Sequence, residues 1–299
     1  TIWNRTLLEV EILHPFLLRS VGVAPAEAVS RSAASIERLG KRIAIGFDND
    51  VWFVFHLMIA GRFRWKPSTR ARPAVPPAAA RRSKSGPLAT LHFDSGVLSL
   101  TEAGSKRRAS LHVVRGAEQA WAFAAGGLEL LDDRLTHEAF AGVLRNENHT
   151  LKRALTDPRL FSGIGNAYSD EILFAARLSP FAMTQSISNE EMVRLLGATV
   201  STLSEWRDRL VEEARKAFPT KVTAFRPEMH VHGKYSRPCD VCGTPIQRIR
   251  YAENECNYCP TCQTGGRVYA DRALSRLLKN DWPRTVEELE KLGQRPPEP

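Results

Sequence analysis

Short runs in which apolar residues alternate with polar ones, or follow one another unbroken, dominate the first third of the chain. They fall at residues 7–13, 42–47, 51–57 and 88–93. Bounded runs of roughly four to eight residues of this kind predict β-strands. Asp48, Asn49 and Asp50 separate the second run from the third and suit a hairpin turn. The expectation is a β-sandwich over residues 1–124. Residues 66–87 break the pattern with Pro, Ala, Arg, Lys and Ser and offer almost nothing to bury. They read as a basic loop inserted between strands, either a solvated linker or an electrostatic arm that touches phosphates.

After Gly126 and Gly127 the period becomes helical. Thr136 is placed to cap a helix running to about Leu144, and Thr150 a short one that stops before Pro158. Gly163-Ile164-Gly165 makes a tight turn, and Asn166 opens a helix to about Ala176. Ser188 and Glu191 form a capping box. The long helix behind it carries Met192, Leu195, Leu196, Thr199, Val200, Leu203, Trp206 and Leu210 on one face, which reads as core. Residues 125–234 are thus expected to be a helical domain. Beyond residue 268, stretches 270–279 and 285–292 read as extra helices and 294–299 as a tail.

Charge narrows the partner. The 299 residues carry 42 Lys+Arg against 33 Asp+Glu, a net charge of +9 and a pI near 9.6, which favours a polyanion such as nucleic acid. With 43% hydrophobic residues the chain can fill packed cores. No apolar run approaches the ~18 residues that span a bilayer, so no membrane partner is expected.

All five cysteines lie between Cys239 and Cys262. Such clustering points to a metal site in a reducing compartment rather than a disulfide framework. Cys239/Cys242 and Cys259/Cys262 are two C-x2-C pairs separated by 16 residues, a spacing that suits a four-thiolate zinc ribbon over residues 235–268. Cys256/Cys259 is also a C-x2-C pair. The later pair is preferred because it leaves room for a hairpin, which makes Cys256 a spare structural thiol. One structural Zn2+ is expected, since four sulfurs leave no open position for chemistry.

Lys152, Arg153, Gly163, Gly165 and Asn166 form a second constellation. A glycine turn entering a helix leaves backbone N–H groups bare where the helix dipole favours an anion. A plain helical turn uses glycine in the same way, so phosphate binding and simple chain reversal both remain open at this point.

The stretch Gly163-Ile-Gly-Asn-Ala-Tyr-Ser-Asp-Glu-Ile-Leu-Phe, with Lys152 fourteen residues before Asn166, resembles the helix-two-turn-helix of the formamidopyrimidine-DNA glycosylase and endonuclease VIII-like (Fpg/Nei) family. Val231-His-Gly-Lys and Pro238-Cys-Asp-Val-Cys-Gly-Thr-Pro-Ile resemble the entry to its zinc finger. Leu39-Gly-Lys-Arg and His56-Leu-Met-Ile-Ala-Gly resemble its N-terminal sandwich. The resemblance covers roughly residues 7–264 and implies a multidomain α+β fold. It also implies a bifunctional DNA glycosylase and AP lyase that removes oxidised or ring-opened bases. The implied partner is double-stranded DNA with a damaged base or abasic site, bound by a monomer in the bacterial cytoplasm, associated with the nucleoid. In this family an N-terminal proline amine, beside a glutamate, attacks the sugar to give a Schiff base, and the base is flipped from the stack. By resemblance Lys41 assists elimination or holds phosphate, while Lys152, Gly165 and Asn166 grip phosphates around the lesion. From its residues alone, Lys41 is an ordinary surface lysine at a strand start.

Several positions depart from the pattern. The chain opens Thr1-Ile2-Trp3 rather than Pro-Glu, and the helix that the family places before the first long strand is mostly absent. The expectation is that residues precede Thr1; the Thr1 amine is primary and chemically able to form an imine, but nothing rests on it. The family fills the gap left by the flipped base with Met, Arg and Phe. Ile59, Arg107 and Ala109 hold the matching positions. Arg107 is expected to meet the orphan base and Ile59, or Met58, to act as an apolar wedge; Ala109 is too small. The run 106–108 also reads as a solvated basic turn. The ribbon arginine that the family aims at phosphate is Asn254 here, leaving Arg248 or Arg250 to compensate. Two other readings stand beside the enzyme: a non-catalytic binder of damaged or bent DNA, and an RNA-binding zinc-ribbon protein.

Overall fold

The computed structural model describes residues 1–68, 86–103, 107–219, 225–251, 254–270 and 282–293. Most of the 66–87 insertion, Lys106, the helix expected over 270–279 and the tail 294–299 lie outside them. The chain divides into two compact units, Thr1–Ala125 with Glu212–Val222, and Gly126–Val211 with Thr223–Pro299. Its architecture is mixed α+β.

Unit 1 is a β-sandwich. One sheet has the order β1-β6-β7-β5 and the other β2-β3-β4-β8. The strands are β1 (Leu7–Ile12), β2 (Ala33–Leu39), β3 (Arg42–Phe47), β4 (Val51–His56), β5 (Gly61–Pro67), β6 (Ala89–Phe93), β7 (Gly96–Glu102) and β8 (Ser110–Arg115). All pairings are antiparallel. Leu91, Phe93 and Leu100 from the first sheet share one core with Ile45, Phe53 and Leu111 from the second. The unbroken apolar run of β4 has a simple cause. Val51, Phe53 and Phe55 face that core, while Trp52 and Val54 pack on the opposite face with Ala120 of helix α1 (Ala117–Trp121). Strands β2, β5, β7 and β8 were not among the expected runs; β2 exposes most of its length, whereas β7 and β8 bury every second residue. The Asp48–Asp50 hairpin forms as expected, with Asp50 at φ 62°. A cavity of about 450 Å³, walled by apolar side chains such as Ile43, Ile45, Phe63 and Trp65, opens beside Thr1 and Ile2.

Unit 2 joins helices to a ribbon. Thr136 caps α2 (His137–Arg145) through Ala139 N–H, and Thr150 caps α3 (Leu151–Thr156) through Arg153 N–H. After the turn comes α4 (Asn166–Ala175), then α5 (Asn189–Lys216). Ser188 and Glu191 close the expected capping box, with the Ser188 N–H on the Glu191 carboxylate at 2.9 Å and the Glu191 N–H on Ser188 Oγ at 3.2 Å. The predicted α5 stripe is buried at Met192, Leu195, Thr199 and Trp206, but Leu210 is exposed, since the core ends before the helix does. The ribbon pairs β9 (Gln247–Tyr251) with β10 (Asn254–Tyr258) and ends in α6 (Pro260–Thr264). The chain then returns, with Val286 N–H on Gly266 C=O, into α7 (Val286–Gly293). No helix among the described residues is long and apolar enough to cross a membrane.

The β4–β5 turn has one strict requirement. A Cβ on Gly61 would sit 2.2 Å from the Leu57 carbonyl oxygen, the same oxygen that accepts the Gly61 N–H. Gly61→Ala should therefore lower stability by roughly 1–3 kcal/mol, read as a lower denaturant midpoint with an unchanged slope; an unaltered midpoint would show that the turn relaxes freely.

Candidate functional site: a buried ion pair, a bare helix end and a four-thiol ribbon

The Gly163–Asn166 turn is built around Lys152. Gly163 takes φ 84°, which reverses the chain at no steric cost. Helix α4 then starts with Gly165 as its N-cap and has no side-chain cap. Asn166 opens this helix, as expected, and its carbonyl takes part in the network below. A Cβ added at Gly165 would meet nothing within 4 Å, and its φ of −115° is ordinary. Neither packing nor backbone conformation demands glycine there. Among the described residues no side chain caps this helix start, where the helix dipole favours an anion.

Lys152 is only 4% exposed. Its ammonium donates to Asn166 C=O at 2.6 Å, Ser169 Oγ at 2.8 Å and Asp170 Oδ1 at 2.6 Å. An ammonium has three protons, so all are used inside the protein. This revises the expectation that Lys152 grips phosphate: its geometry holds the turn that presents the helix end.

Asp170 and Glu171 join that turn to the ribbon. His232 Nδ1 lies 2.8 Å from Asp170 Oδ2, and since a carboxylate can only accept, this nitrogen carries the proton. Asn257 Nδ2 donates to the same oxygen at 3.3 Å. The Glu171 carboxylate accepts the backbone N–H groups of His230, Val231 and His232 at 2.8–3.0 Å. Cys256 is buried beside them, outside the four-sulfur cluster described next; burial first, then the nearby Asp170 charge, pushes its thiol far up. Phe174, Val231, Cys239, Ile246 and Cys259 complete a shared apolar cluster. Asp170, Glu171 and His232 lie inside the motifs quoted for the resemblance, yet neither they nor Asn257 had been given a role.

The sulfurs of Cys239, Cys242, Cys259 and Cys262 lie within 4.8 Å of one another, with Cys239–Cys262 at 4.0 Å and Cys242–Cys259 at 3.4 Å. Tetrahedral thiolates at ~2.3 Å from a zinc ion would be about 3.8 Å apart, so the set fits such an ion. Burial opposes the Cys242 thiolate, but hydrogen bonds involving Thr244, Cys259 and Cys262 outweigh it and bring the thiol down to about 6. Gly243, at φ 77°, allows the first knuckle to close with its N–H on Cys239 C=O. On the adjoining strand Arg250 is exposed, whereas Arg248 stacks over Tyr235 at 4.4 Å and pairs with Glu255 at 3.7 Å. Asn254 is exposed at the hairpin.

In unit 1, Lys41 occupies the two-residue turn between β2 and β3, after Gly40 at φ 63°. It is solvent-accessible, yet enough protein surrounds it to lower its ammonium pKa by desolvation. Arg42 pairs across the sheet with His56. Burial, then Arg42 and Lys41, lowers the His56 pKa; burial, then Arg42 and Arg19, lowers that of His112. His112 was not anticipated, because only the β4–β8 pairing brings it near this patch. At the β4–β5 tip Ile59 is 72% exposed beside Met58 at φ 54°. Arg107 is half-buried, and Ala109 is buried in the sandwich core.

Sandwich, glycine-turned helix pair and four-thiol ribbon define a class of multidomain α+β protein with a metal-fit ribbon. Residues 1–104 match the family model of the formamidopyrimidine-DNA glycosylase N-terminal domain, and residues 127–207 match that of its H2TH domain. A formamidopyrimidine-DNA glycosylase-like protein of Mycobacterium tuberculosis is 38% identical over 164 residues, 55% of this chain and 99% of its own length. The Thermus thermophilus formamidopyrimidine-DNA glycosylase is 29% identical over 273 residues, covering 89% of this chain and 93% of its own. The crystal structure of MutM (Fpg) from Thermus thermophilus superposes with a TM-score of 0.66 at 27% identity, covering 88% of this chain and 92% of its own. The chain belongs to the Fpg/Nei family.

The Lys152–Asp170 geometry separates two roles. Lys152→Ala should cost about 3–5 kcal/mol, because it leaves a buried carboxylate without its counter-ion. A denaturant unfolding curve within about 0.5 kcal/mol of wild type, as for a surface lysine, would contradict the burial described above.

Proposed function

We propose that this protein is a DNA glycosylase of base excision repair, acting on double-stranded DNA that carries a damaged base or an abasic site. The observation that carries the reading is the bare N-terminus of α4 at Gly165 and Asn166, held rigid by a buried lysine in a chain of this family. A structure of Lactococcus lactis Fpg, 20% identical to this chain, contains DNA with an AP site, which adds support by family kinship. Phosphate oxygens would dock on the N–H groups of Gly165 and Asn166, and the exposed Arg250 would meet the backbone from the ribbon. Cys239, Cys242, Cys259 and Cys262 would hold one structural Zn2+, which supplies folding energy to the ribbon and no chemistry.

The finer reading is a bifunctional enzyme for oxidised or ring-opened bases. With the family's N-terminal proline amine as nucleophile, C1′ of the damaged nucleotide would be attacked as the base departs. The resulting iminium would then lose a C2′ proton, and the 3′ phosphate would leave by β-elimination. Lys41, on its turn in the basic patch, would steady the departing phosphate or assist that elimination. Ile59 at its exposed tip and Arg107 would fill the space vacated by the flipped base.

Borohydride reduction tests this directly. The complete natural chain, incubated with duplex containing an abasic site or oxidised base, should be trapped as a covalent adduct; no adduct would reject the lyase. Two variants separate binding from folding. Gly165→Ala should cost about 1 kcal/mol or less in stability yet weaken duplex binding across sequences, since its Cβ intrudes where phosphate docks. Equal DNA affinity in Gly165→Ala and wild type would remove the phosphate assignment. Lys41→Met should slow strand cleavage far more than it shifts the melting temperature, measured on the same preparation.

A further inference from the structure

The ribbon and α4 share more than a hydrophobic contact. Asp170 sits in the second turn of α4 with its side chain completely buried, and its two oxygens face opposite ways along a chain of contacts. Oδ1 receives the Lys152 ammonium, which also holds the Asn166 carbonyl and Ser169. Oδ2 receives His232 from the segment leading into the ribbon, and Asn257 from β10, two residues before the metal-fit Cys259. At the far end of α4 the Gln263 amide, one residue after Cys262, donates to Leu178 C=O at 3.0 Å, while its oxygen accepts the Cys259 N–H at 2.8 Å. On the ribbon side, Asp170 and Leu178 are thus tied to His232, Asn257 and Gln263, all in or next to the four-thiol segment.

We propose that Asp170 is a positioning residue that couples metal occupancy of the ribbon to the order of the α4 N-terminal turn. When the thiols are clasped around an ion, His232 and Asn257 stay in place and Oδ2 is satisfied. Asp170 then holds Lys152, and Lys152 holds the Asn166 carbonyl, so the bare N–H groups point in a fixed direction. When the ion leaves, the small ribbon loses the energy that folds it. Asp170 loses its two ribbon partners, and the turn loosens. The metal thus acts on the anion-binding turn without touching the anion. This rests on the reading of that turn as a phosphate contact only for its consequence in binding, not for the coupling itself.

Hydrogen exchange on the full zinc-loaded chain, without DNA, tests the coupling. Removing zinc with a chelator should speed exchange of the peptide covering 163–171 by about tenfold or more, while α2 and the first half of α5 keep their protection. Asp170→Asn, still binding one zinc per chain, should exchange in this peptide as fast as the metal-free wild type. Its affinity for an abasic-site duplex should fall by roughly fivefold or more. Should Asp170→Asn fail to fold, His232→Leu with Asn257→Ala cuts only the ribbon side and keeps the Lys152–Asp170 pair. In that double variant the zinc-dependent change in exchange should shrink. Unchanged protection of 163–171 in metal-free wild type, or a full zinc effect in the double variant, overturns the proposal. Wild type that shows the exchange effect but binds no duplex would fail the functional reading and leave the coupling standing.

Discussion

The ion pair between Lys152 and Asp170 is the constraint around which unit 2 is arranged. Two charges withdrawn from water carry a large desolvation penalty, and their attraction offsets it only where geometry is good and remaining protons and lone pairs are satisfied. Here the ammonium has three acceptors and the carboxylate has donors on both oxygens. Such completeness forces neighbouring elements into register. The α3 helix must return close to α4, the glycine turn must have one shape, and the segment before the ribbon must pass beside Asp170. Hydrophobic contacts alone would accept several such arrangements; the satisfied charges accept few.

Unit 1 follows another logic. Its sandwich is an ordinary packed scaffold, and its chemistry-bearing groups stand where strands end. Lys41 lies on a two-residue turn, Ile59 on the β4–β5 tip and Arg107 on the approach to β8. Paired strands flank the Lys41 turn and the Ile59 tip on both sides. The basic patch of Lys41, Arg42, His56 and His112 is assembled from the β2–β3 turn and strands β3, β4 and β8. Partial burial and crowded positive charge there favour neutral imidazoles.

Much of this was legible in the sequence where a local rule was at work. Thr136, Thr150 and the Ser188/Glu191 box announce helix starts through short-range hydrogen bonds. The paired cysteines announce a metal knuckle, because ligand spacing is local too. What stayed hidden depends on tertiary register. Of the four overlooked strands only β2 lacks alternation, with Ile36 exposed; β5, β7 and β8 alternate but are short and lie among polar turns. Lys152 looked like a phosphate ligand because its spacing to Asn166 is visible and its burial is not. Asp170, His232 and Asn257 are separated by up to 87 residues along the chain, and only the folded ribbon brings them together.

Helix α4 leaves little for solvent beyond Ala175 at its end. Ala167, Ser169, Asp170, Glu171, Ile172, Leu173 and Phe174 are all buried, among ten residues. One side serves the helical core, another the ribbon, and the leading end is bare. That explains why a helix rich in polar residues can be buried, and why amphipathic patterning describes it poorly. It also means that sequence drift has almost nowhere to act here without disturbing a partner. The outer side of α5 is the opposite case, with exposed charged residues that pair largely with one another along the helix.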